Sequence, residues 1–336
     1  MRLSTLLACA LIACAGSIGC DKDAKNFQAP AASGSSSDRT AVRLTLDWKP
    51  EPEFGGFYAA QLSGAFARNN LEVDLKTAGE GAPTTTLVAS GQTDFATTAA
   101  DQVILARSAG ADVVAIFAVY QTSPQGIMTH KARGFTSIEG VFTHPGTLAA
   151  EDANWLKYLL HKFGPPKAQL IGYSGGIAVF LAKPDYSQQC FITSEPLLAK
   201  AQGSDPRTFL IADAGYNPYT TVVITSGKLL RERPQLATAM AQACRAGWRQ
   251  YLDDPATANA KMAALNPQMD PETFAAAADA QKPLIETVET IKSGLGSMTA
   301  ERWNVLSQQL LELKVIEKGA PAEECFRNPQ EPATRP

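Results

Sequence analysis

The sequence predicts an α/β protein in which mostly parallel strands are covered by helices on both sides. Short apolar strands alternate with helical segments from residue 42 to residue 120. The last of these strands, residues 113–120, is apolar almost throughout, as expected of a strand buried on both faces. Gly91 and Gly110 each follow a helical segment, where glycine commonly ends a helix. This alternation is typical of α/β folds.

The first part of the chain contains four predicted strands and three predicted helices. The strands are residues 42–46, 71–76, 93–96 and 113–120, and the helices are residues 57–69, 84–90 and 100–109.

A second unit of alternating elements follows. Residues 146–163 are predicted to be helical, because Pro145 precedes them and Gly164 follows them. The other predicted elements are strands at 169–172, 189–193, 209–212 and 220–225 and a helix at 176–183. After residue 225 only helices are predicted, at 233–252, 255–264, 271–290 and 299–313. These Ala-rich helices are expected to pack over a lobe that the strands have already formed.

The N-terminus has the pattern of a secretory signal. Arg2 is the only charged residue before Asp21, and residues 6–12 are nearly all apolar. This apolar run is too short to span a bilayer, which takes about 20 residues. Cys20 follows small residues as in a bacterial lipobox, with Cys14 as the alternative. We expect a signal peptide at 1–19, lipidation at Cys20, a flexible tether at 20–40 and a loose tail at 319–336.

The composition argues against several classes of function. The formal net charge is −3 and no basic cluster is present, so nucleic-acid binding has no electrostatic footprint. The remaining cysteines and the histidines lack metal-site spacing, so no metal or cofactor is expected. Buried free thiols are favoured, although one disulfide among the cysteines stays open. The cysteines in question are Cys190, Cys244 and Cys325, and the histidines are His130, His144 and His161.

The carboxyl ends of two predicted strands carry candidate ligand-binding residues. Asp47 and Trp48 follow the first strand, and Thr97 and Thr98 lie between a strand and a helix start. In open α/β sheets, ligands bind at this edge. Trp48 is suited to stack on a flat ligand or, alternatively, to pack on the following helix. Asp47 could bind a ligand amino group or cap the backbone, and the threonines could bind a polar ligand or serve as ordinary N-caps.

Three stretches of the sequence resemble a known family. Residues 47–50 read Asp-Trp-Lys-Pro and are followed by Gly-Phe-Tyr-Ala-Ala at 56–60; residues 90–95 read Ser-Gly-Gln-Thr-Asp-Phe, and residues 193–196 read Thr-Ser-Glu-Pro. Together they resemble ABC-transporter solute-binding proteins of the thiamine-pyrimidine type, which are related to nitrate- and sulfonate-binding proteins. The resemblance covers roughly residues 42–315.

The resemblance implies a two-lobed periplasmic-binding-protein fold of type II. Mixed sheets flanked by helices would form each lobe, and two crossing strands, at about 119–130 and 219–225, would form the hinge. Lobe 1 would then comprise residues 41–130 and 218–318, and lobe 2 residues 131–217.

Further candidate residues follow from this expected cleft. Tyr120 and Gln121 end the first crossing strand, and Gly146 and Thr147 would present backbone amides at a helix start. Glu195 could accept two N–H bonds from an aminopyrimidine edge or, alternatively, satisfy a helix dipole. Tyr219 is expected to stack opposite Trp48.

The predicted function is that of the solute-binding component of an ABC importer. It would capture a small heteroaromatic solute, such as a thiamine pyrimidine precursor, and deliver it to a membrane permease. We expect an exported, periplasmic or otherwise extracytoplasmic monomer held by its lipid anchor. The alternatives are an oxyanion-binding protein and a sensory binding protein. A pyrimidine-synthase-like enzyme is disfavoured, because Thr98 and Gln102 stand where such an enzyme carries Lys and His.

Overall fold

Ten strands in the described part of the chain carry the fold. The computed structural model describes residues 39–79 and 82–329. In chain order the strands are β1 (Thr40–Leu46), β2 (Leu71–Thr77), β3 (Phe95–Thr98), β4 (Val113–Tyr120), β5 (Gln125–His130), β6 (Thr147–Ala150), β7 (Gln169–Gly172), β8 (Tyr186–Phe191), β9 (Pro206–Leu210) and β10 (Thr220–Ser226).

The strands form two sheets of five. The first sheet has the order β2-β1-β3-β10-β4 and the second has the order β7-β6-β8-β5-β9. In the first, β10 runs antiparallel to both of its neighbours, and in the second, β5 does the same. Both sheets are therefore mixed, as the resemblance implied. We call the first sheet with its helices lobe 1 and the second sheet with its helices lobe 2.

Helices cover the sheets and extend beyond the last strand. They are α1 (Gly55–Leu62), α2 (Ala65–Arg68), α3 (Thr84–Ala89), α4 (Ala100–Ser108), α5 (Ile138–Thr143), α6 (Asn154–Phe163), α7 (Ala178–Ala182), α8 (Glu195–Ala201), α9 (Gly227–Glu232), α10 (Pro234–Asp253), α11 (Ala256–Leu265), α12 (Pro271–Ile285), α13 (Val288–Ser293), α14 (Ala300–Glu312) and α15 (Ala322–Cys325). None of the described helices is both long and apolar enough to cross a membrane.

One predicted helix is wrong in its first half. Residues 146–163 were expected to be helical throughout, but Thr147–Ala150 is strand β6 and only Asn154–Phe163 is helical. The segment Thr-Leu-Ala-Ala has helix-compatible residues, but it is paired on both sides, with β7 and with β8. Tertiary pairing therefore overrides the local preference.

The chain crosses between the sheets at two short segments. Strand β5 already belongs to the second sheet, so the outward crossing occupies residues 121–124 rather than extending to His130. The return path leads from β9 to β10. The backbone N–H of Ser123 donates to the side chain of Asn217 over 2.9 Å, and the Thr220 hydroxyl donates to Ser123 Oγ over 3.1 Å. The two crossings are thus hydrogen-bonded to each other.

Residues 319–329, which are part of the expected loose tail at 319–336, pack against the rest of the described chain. Cys325 on α15 is fully buried, and the ring of Phe326 stacks on Trp303 with 5.8 Å between centroids. The remaining expectations at the ends of the chain, the signal peptide, Cys20 and most of the tether, lie outside the described residues. Cys190, Cys244 and Cys325 are buried free thiols, so the alternative of a disulfide among them is not realised.

Close packing of α1 against α10 fixes the start of α1. Gly56 lies under the indole of Trp248, and a Cβ on Gly247 would be only 2.2 Å from the carbonyl oxygen of Gly56. It would also lie 2.5 Å from the Cβ of Ala60. The two helices can approach this closely only because glycine stands at the contact. The loop that joins β1 to α1 is consequently held at the edge of the first sheet.

We expect Gly247→Ala to lower the free energy of unfolding by about 1–3 kcal/mol, because the added methyl group overpacks a contact with backbone. Denaturant unfolding followed by tryptophan fluorescence measures this change. The matched control is Gly79→Ala, since an added Cβ there meets no atom within 4 Å. An equal effect of the two substitutions would contradict the packing argument.

Candidate functional site

The loop after β1 places Asp47 at the carboxyl edge of the first sheet. The backbone N–H of Asp47 donates to Thr97 Oγ1 over 2.9 Å, and the Thr97 hydroxyl donates to the Asp47 carboxylate. Thr97 is fully buried at this point. Burial raises the pKa of Asp47, and the hydrogen bond from Thr97 offsets part of this increase. Two of the residues predicted from sequence are therefore in direct contact.

Glu51 and Glu53 follow on the same loop. Neither was among the ligand-binding residues predicted from sequence. They are only 7% and 8% exposed. Lys49 forms an ion pair with Glu51 at 3.4 Å. The Trp48 indole and the Ser194 hydroxyl also interact with the Glu51 carboxylate, but burial dominates and raises its pKa. The sequence does show these two glutamates close to Trp48, the predicted stacking residue, so they could have been selected as candidates from sequence.

Glu53 has the most perturbed environment of the loop. Burial, followed by repulsion from Glu51, Asp47 and Glu195, holds its pKa well above the ordinary range. Among residues 39–79 and 82–329 no side chain forms a hydrogen bond or ion pair with its carboxylate, whose oxygens are not fully enclosed.

A bridge through Gln281 ties this loop to the end of β4. The hydroxyl of Tyr120 donates to Gln281 Oε1 over 2.6 Å, and Gln281 Nε2 donates to the carbonyl of Pro52 over 2.9 Å. Gln281 is fully buried on α12, more than 150 residues from Tyr120 in sequence. No local pattern marks it, so sequence reasoning could not find it. Tyr120 also interacts with Thr193 of lobe 2.

Glu195 approaches the same region from lobe 2, at the first residue of α8. Its Oε2 accepts the backbone N–H of Phe191 over 2.9 Å, and its Oε1 accepts the hydroxyl of Tyr173 over 3.0 Å. Burial raises its pKa, and Glu51 adds a smaller repulsion. The backbone N–H of Glu195 itself also interacts with the carboxylate, so three donors within the chain hold this side chain in place.

Four carboxylates from two lobes therefore interact in one place. We call Asp47, Glu51, Glu53 and Glu195 the acidic cluster. Burial is the first cause of the raised pKa in every member. Among the charges that act most strongly on Glu53 in the described chain, Lys49 is the one cation. Such a site attracts N–H donors and cations and repels anions.

Trp48 lies beside the acidic cluster. Its ring is partly buried and packs against the larger hydrophobic core of lobe 1. The Lys49 ammonium is 5.9 Å from the centre of the ring. Trp48 and Thr98, which is buried at the end of β3, remain predicted ligand contacts.

Two predicted site residues lie at the wrong edge of their sheet. Gly146 and Thr147 stand at the amino end of β6, where Thr147 pairs with Tyr186 at the start of β8. The acidic cluster lies at the opposite edge, because Glu195 follows the carboxyl end of β8. The prediction was wrong because Thr147 begins a strand rather than a helix.

Tyr219 and Gln121 face the C-terminal helices and do not face Trp48. The Tyr219 ring is covered by the Arg302 guanidinium at 3.8 Å, and its hydroxyl accepts the backbone N–H of Thr299. Gln121 Nε2 donates to the carbonyl of Ser297 over 3.1 Å. Both residues line a cavity of about 980 Å³ beside the hinge. The expectation that Tyr219 stacks opposite Trp48 is therefore corrected.

A second group of contacts joins the lobes away from the acidic cluster. Asp101 Oδ2 on α4 accepts Asn154 Nδ2 over 2.8 Å and the hydroxyl of Tyr216 over 3.0 Å. Together with the contact between Glu51 and Ser194, these bonds connect the two lobes. The described residues contain no group of three or more His, Cys, Asp or Glu side chains suited to a metal ion.

Comparison with known proteins identifies the family. A family model described as "NMT1/THI5 like" matches residues 51–258. The chain belongs to the NMT1/THI5-like family. It is also similar to the formylaminopyrimidine-binding protein of Halalkalibacterium halodurans, with 25% identity over 316 residues that cover 89% of this chain and 94% of that protein.

Solved structures with the same architecture include binding proteins and one enzyme. The aliphatic sulphonate binding protein SsuA of Escherichia coli gives a TM-score of 0.69 at 13% identity, covering 88% of this chain and 94% of that one. The Candida albicans CA3427 gene product, which has the generic periplasmic binding protein fold, gives a TM-score of 0.55 at 14% identity, covering 88% of this chain and 99% of that one. The desulfurization enzyme DSZB gives a TM-score of 0.58 at 15% identity, covering 84% of this chain and 96% of that one. The predicted fold is confirmed.

We expect Glu53→Gln to stabilise the ligand-free protein at pH 7.5 by about 1 kcal/mol or more, since a tenfold change in proton affinity is worth about 1.4 kcal/mol. The raised pKa of Glu53 means that the folded state binds its proton more tightly than the unfolded state. Its contribution to the free energy of unfolding therefore falls as the pH rises from about 4.5 through the folded-state pKa.

Urea unfolding from pH 4 to pH 8 measures the free energy of unfolding of the variant and the wild-type protein. The greater stability of the variant should vanish near pH 4. The control is Glu139→Gln, which makes the same charge change at an exposed site of lobe 2. A Glu53 variant that is less stable at pH 7.5, or equally affected at every pH, would refute this account.

Proposed function

We propose that the protein is the exported solute-binding component of an ABC importer and that it captures a small nitrogen heterocycle bearing amino groups. The observation that supports this most directly is the acidic cluster beside Trp48, to which both lobes contribute. A thiamine pyrimidine precursor is a solute of this chemical class.

The residues at the junction match the two kinds of surface on such a ring. The Trp48 indole offers a flat face on which a ring can stack at low entropic cost. Asp47, Glu51 and Glu195 offer carboxylate oxygens that accept N–H bonds from ring amino groups in charge-assisted pairs. Thr97 and Tyr173 hold two of these carboxylates in place, so the acceptors are preorganised.

An oxyanion solute fits the same site poorly. A sulfonate or nitrate would place its negative charge among four carboxylates, with Lys49 already paired to Glu51. Like charges in a buried site raise the free energy of binding steeply. The similarity to the sulphonate-binding SsuA concerns the fold, so it lends no weight to a sulfonate ligand here.

The similarity to a formylaminopyrimidine-binding protein supports the proposed ligand class. Membership of the NMT1/THI5-like family agrees with it. On this proposal the protein works outside the cytoplasm as a monomer, anchored through a lipid on Cys20, and transfers its solute to a membrane permease. Closure of the two lobes around the solute would give the permease a liganded form to recognise.

Isothermal titration with 4-amino-5-hydroxymethyl-2-methylpyrimidine, taurine and nitrate tests the ligand class. We expect heat from the pyrimidine and none from the two oxyanions. Trp48→Ala should weaken pyrimidine binding about tenfold or more, because stacking on an aromatic ring is worth about 1–3 kcal/mol. Trp48→Phe is the matched control and should retain much of the affinity. Binding of taurine or nitrate alone would overturn the proposal.

The fold also serves an enzyme, DSZB, so binding and turnover need a direct test. We expect the bound pyrimidine to be recovered unchanged after prolonged incubation with the protein, by mass spectrometry of the released ligand. Recovery of a modified compound in amounts that exceed the protein would replace the transport proposal with an enzymatic one.

A further inference from the structure

Glu53 has no partner in the site that would neutralise its ionised form. It is 8% exposed, and its carboxylate has no hydrogen bond or ion pair among the described residues. The nearby cation, Lys49, is already engaged, since its ammonium is 3.4 Å from Glu51 and donates to Gln268 Oε1 over 3.2 Å.

The other acids of the cluster have donors of their own. Asp47 is bonded to Thr97, and Glu195 is bonded to Phe191 N–H and to the hydroxyl of Tyr173. These acids therefore differ from Glu53, which has no such donor.

Apart from Lys49, the groups that act most strongly on Glu53 in the described part of the chain are not cations. From β4 it is faced by Tyr120, whose proton is donated to Gln281 on α12, and from lobe 2 by Glu195. None of these groups is positively charged. Ionising a largely buried carboxylate that has no partner is unfavourable, and a bound cation would offset this cost.

We propose that the solute itself supplies the missing positive charge: the ligand is a cationic ring compound, and Glu53 is its counter-ion. This inference rests on the proposed function, because it assumes that the ring stacks on Trp48 within the same site. The cation is an ammonium substituent on the ring. Glu53 would then determine specificity by charge while Trp48 selects for a flat ring.

Two pyrimidines that share a ring but differ in charge separate these contributions. The probes are 4-amino-5-aminomethyl-2-methylpyrimidine, which carries an ammonium at neutral pH, and its neutral 5-hydroxymethyl counterpart. We expect the wild-type protein to bind the ammonium compound at least about tenfold more tightly in titration calorimetry. An opposite charge at Glu53 also favours its ionised form, so binding of the ammonium compound should release protons. Titrations in two buffers of different ionisation heat measure that release.

Variants at position 53 test the assignment of the counter-ion. Glu53→Gln should remove the preference for the ammonium compound over the neutral one. Glu53→Asp keeps the charge and should restore part of the preference. Glu139→Gln, at an exposed site, should leave both affinities unchanged. The wild-type comparison and the proton release stand even if a variant does not fold.

The outcomes for the two proposals are distinct. If neither pyrimidine binds, the proposed function fails. If both bind with similar affinity, or the neutral compound binds more tightly and Glu53→Gln has no effect on the ratio, the function stands and the cationic ligand is excluded.

Discussion

The burial of carboxylates at the junction of the lobes is the constraint on which the other features depend. Each buried acid needs either a fixed donor or a neighbouring charge. Thr97 supplies a donor from β3, and Tyr173 supplies one from lobe 2. The loop that carries Glu51 and Glu53 can hold its position because Gln281 binds Pro52 from behind and because α1 packs tightly on α10 through glycine contacts. The tight packing of the helices therefore keeps the charged loop in place.

On the proposed function, the same charges would favour opening of the lobes when no ligand is bound. Glu51 belongs to lobe 1 and Glu195 to lobe 2, and each raises the cost of ionising the other. Opening the cleft admits water between them and relieves this repulsion, while the bonds of Asp101 with Asn154 and Tyr216 oppose opening. A ligand that offers positive charge or N–H donors changes this balance in favour of closure, which is a shift between populations.

Sequence patterns were sufficient where a segment has one role. The run Val113–Tyr120 is buried along its whole length and was predicted correctly, and the edge position of Asp47 and Trp48 followed from the end of β1. Prediction was wrong at Thr147–Ala150, where pairing on both sides outweighs a weak helical preference. It also could not reveal Gln281, because its role depends on two distant partners. The environment of Glu53 likewise depends on contacts between lobes that no local pattern encodes.

The three buried thiols have a consequence for how the protein matures. Cys190, Cys244 and Cys325 are unpaired and enclosed by the folded chain, and burial raises the pKa of each thiol. No disulfide among these three residues therefore stabilises the native structure, and their thiols are poor nucleophiles. The unfolded chain has no such protection, so in an oxidising compartment slow folding would be penalised by non-native cross-links. Burial of these three side chains on folding would remove them from such cross-linking.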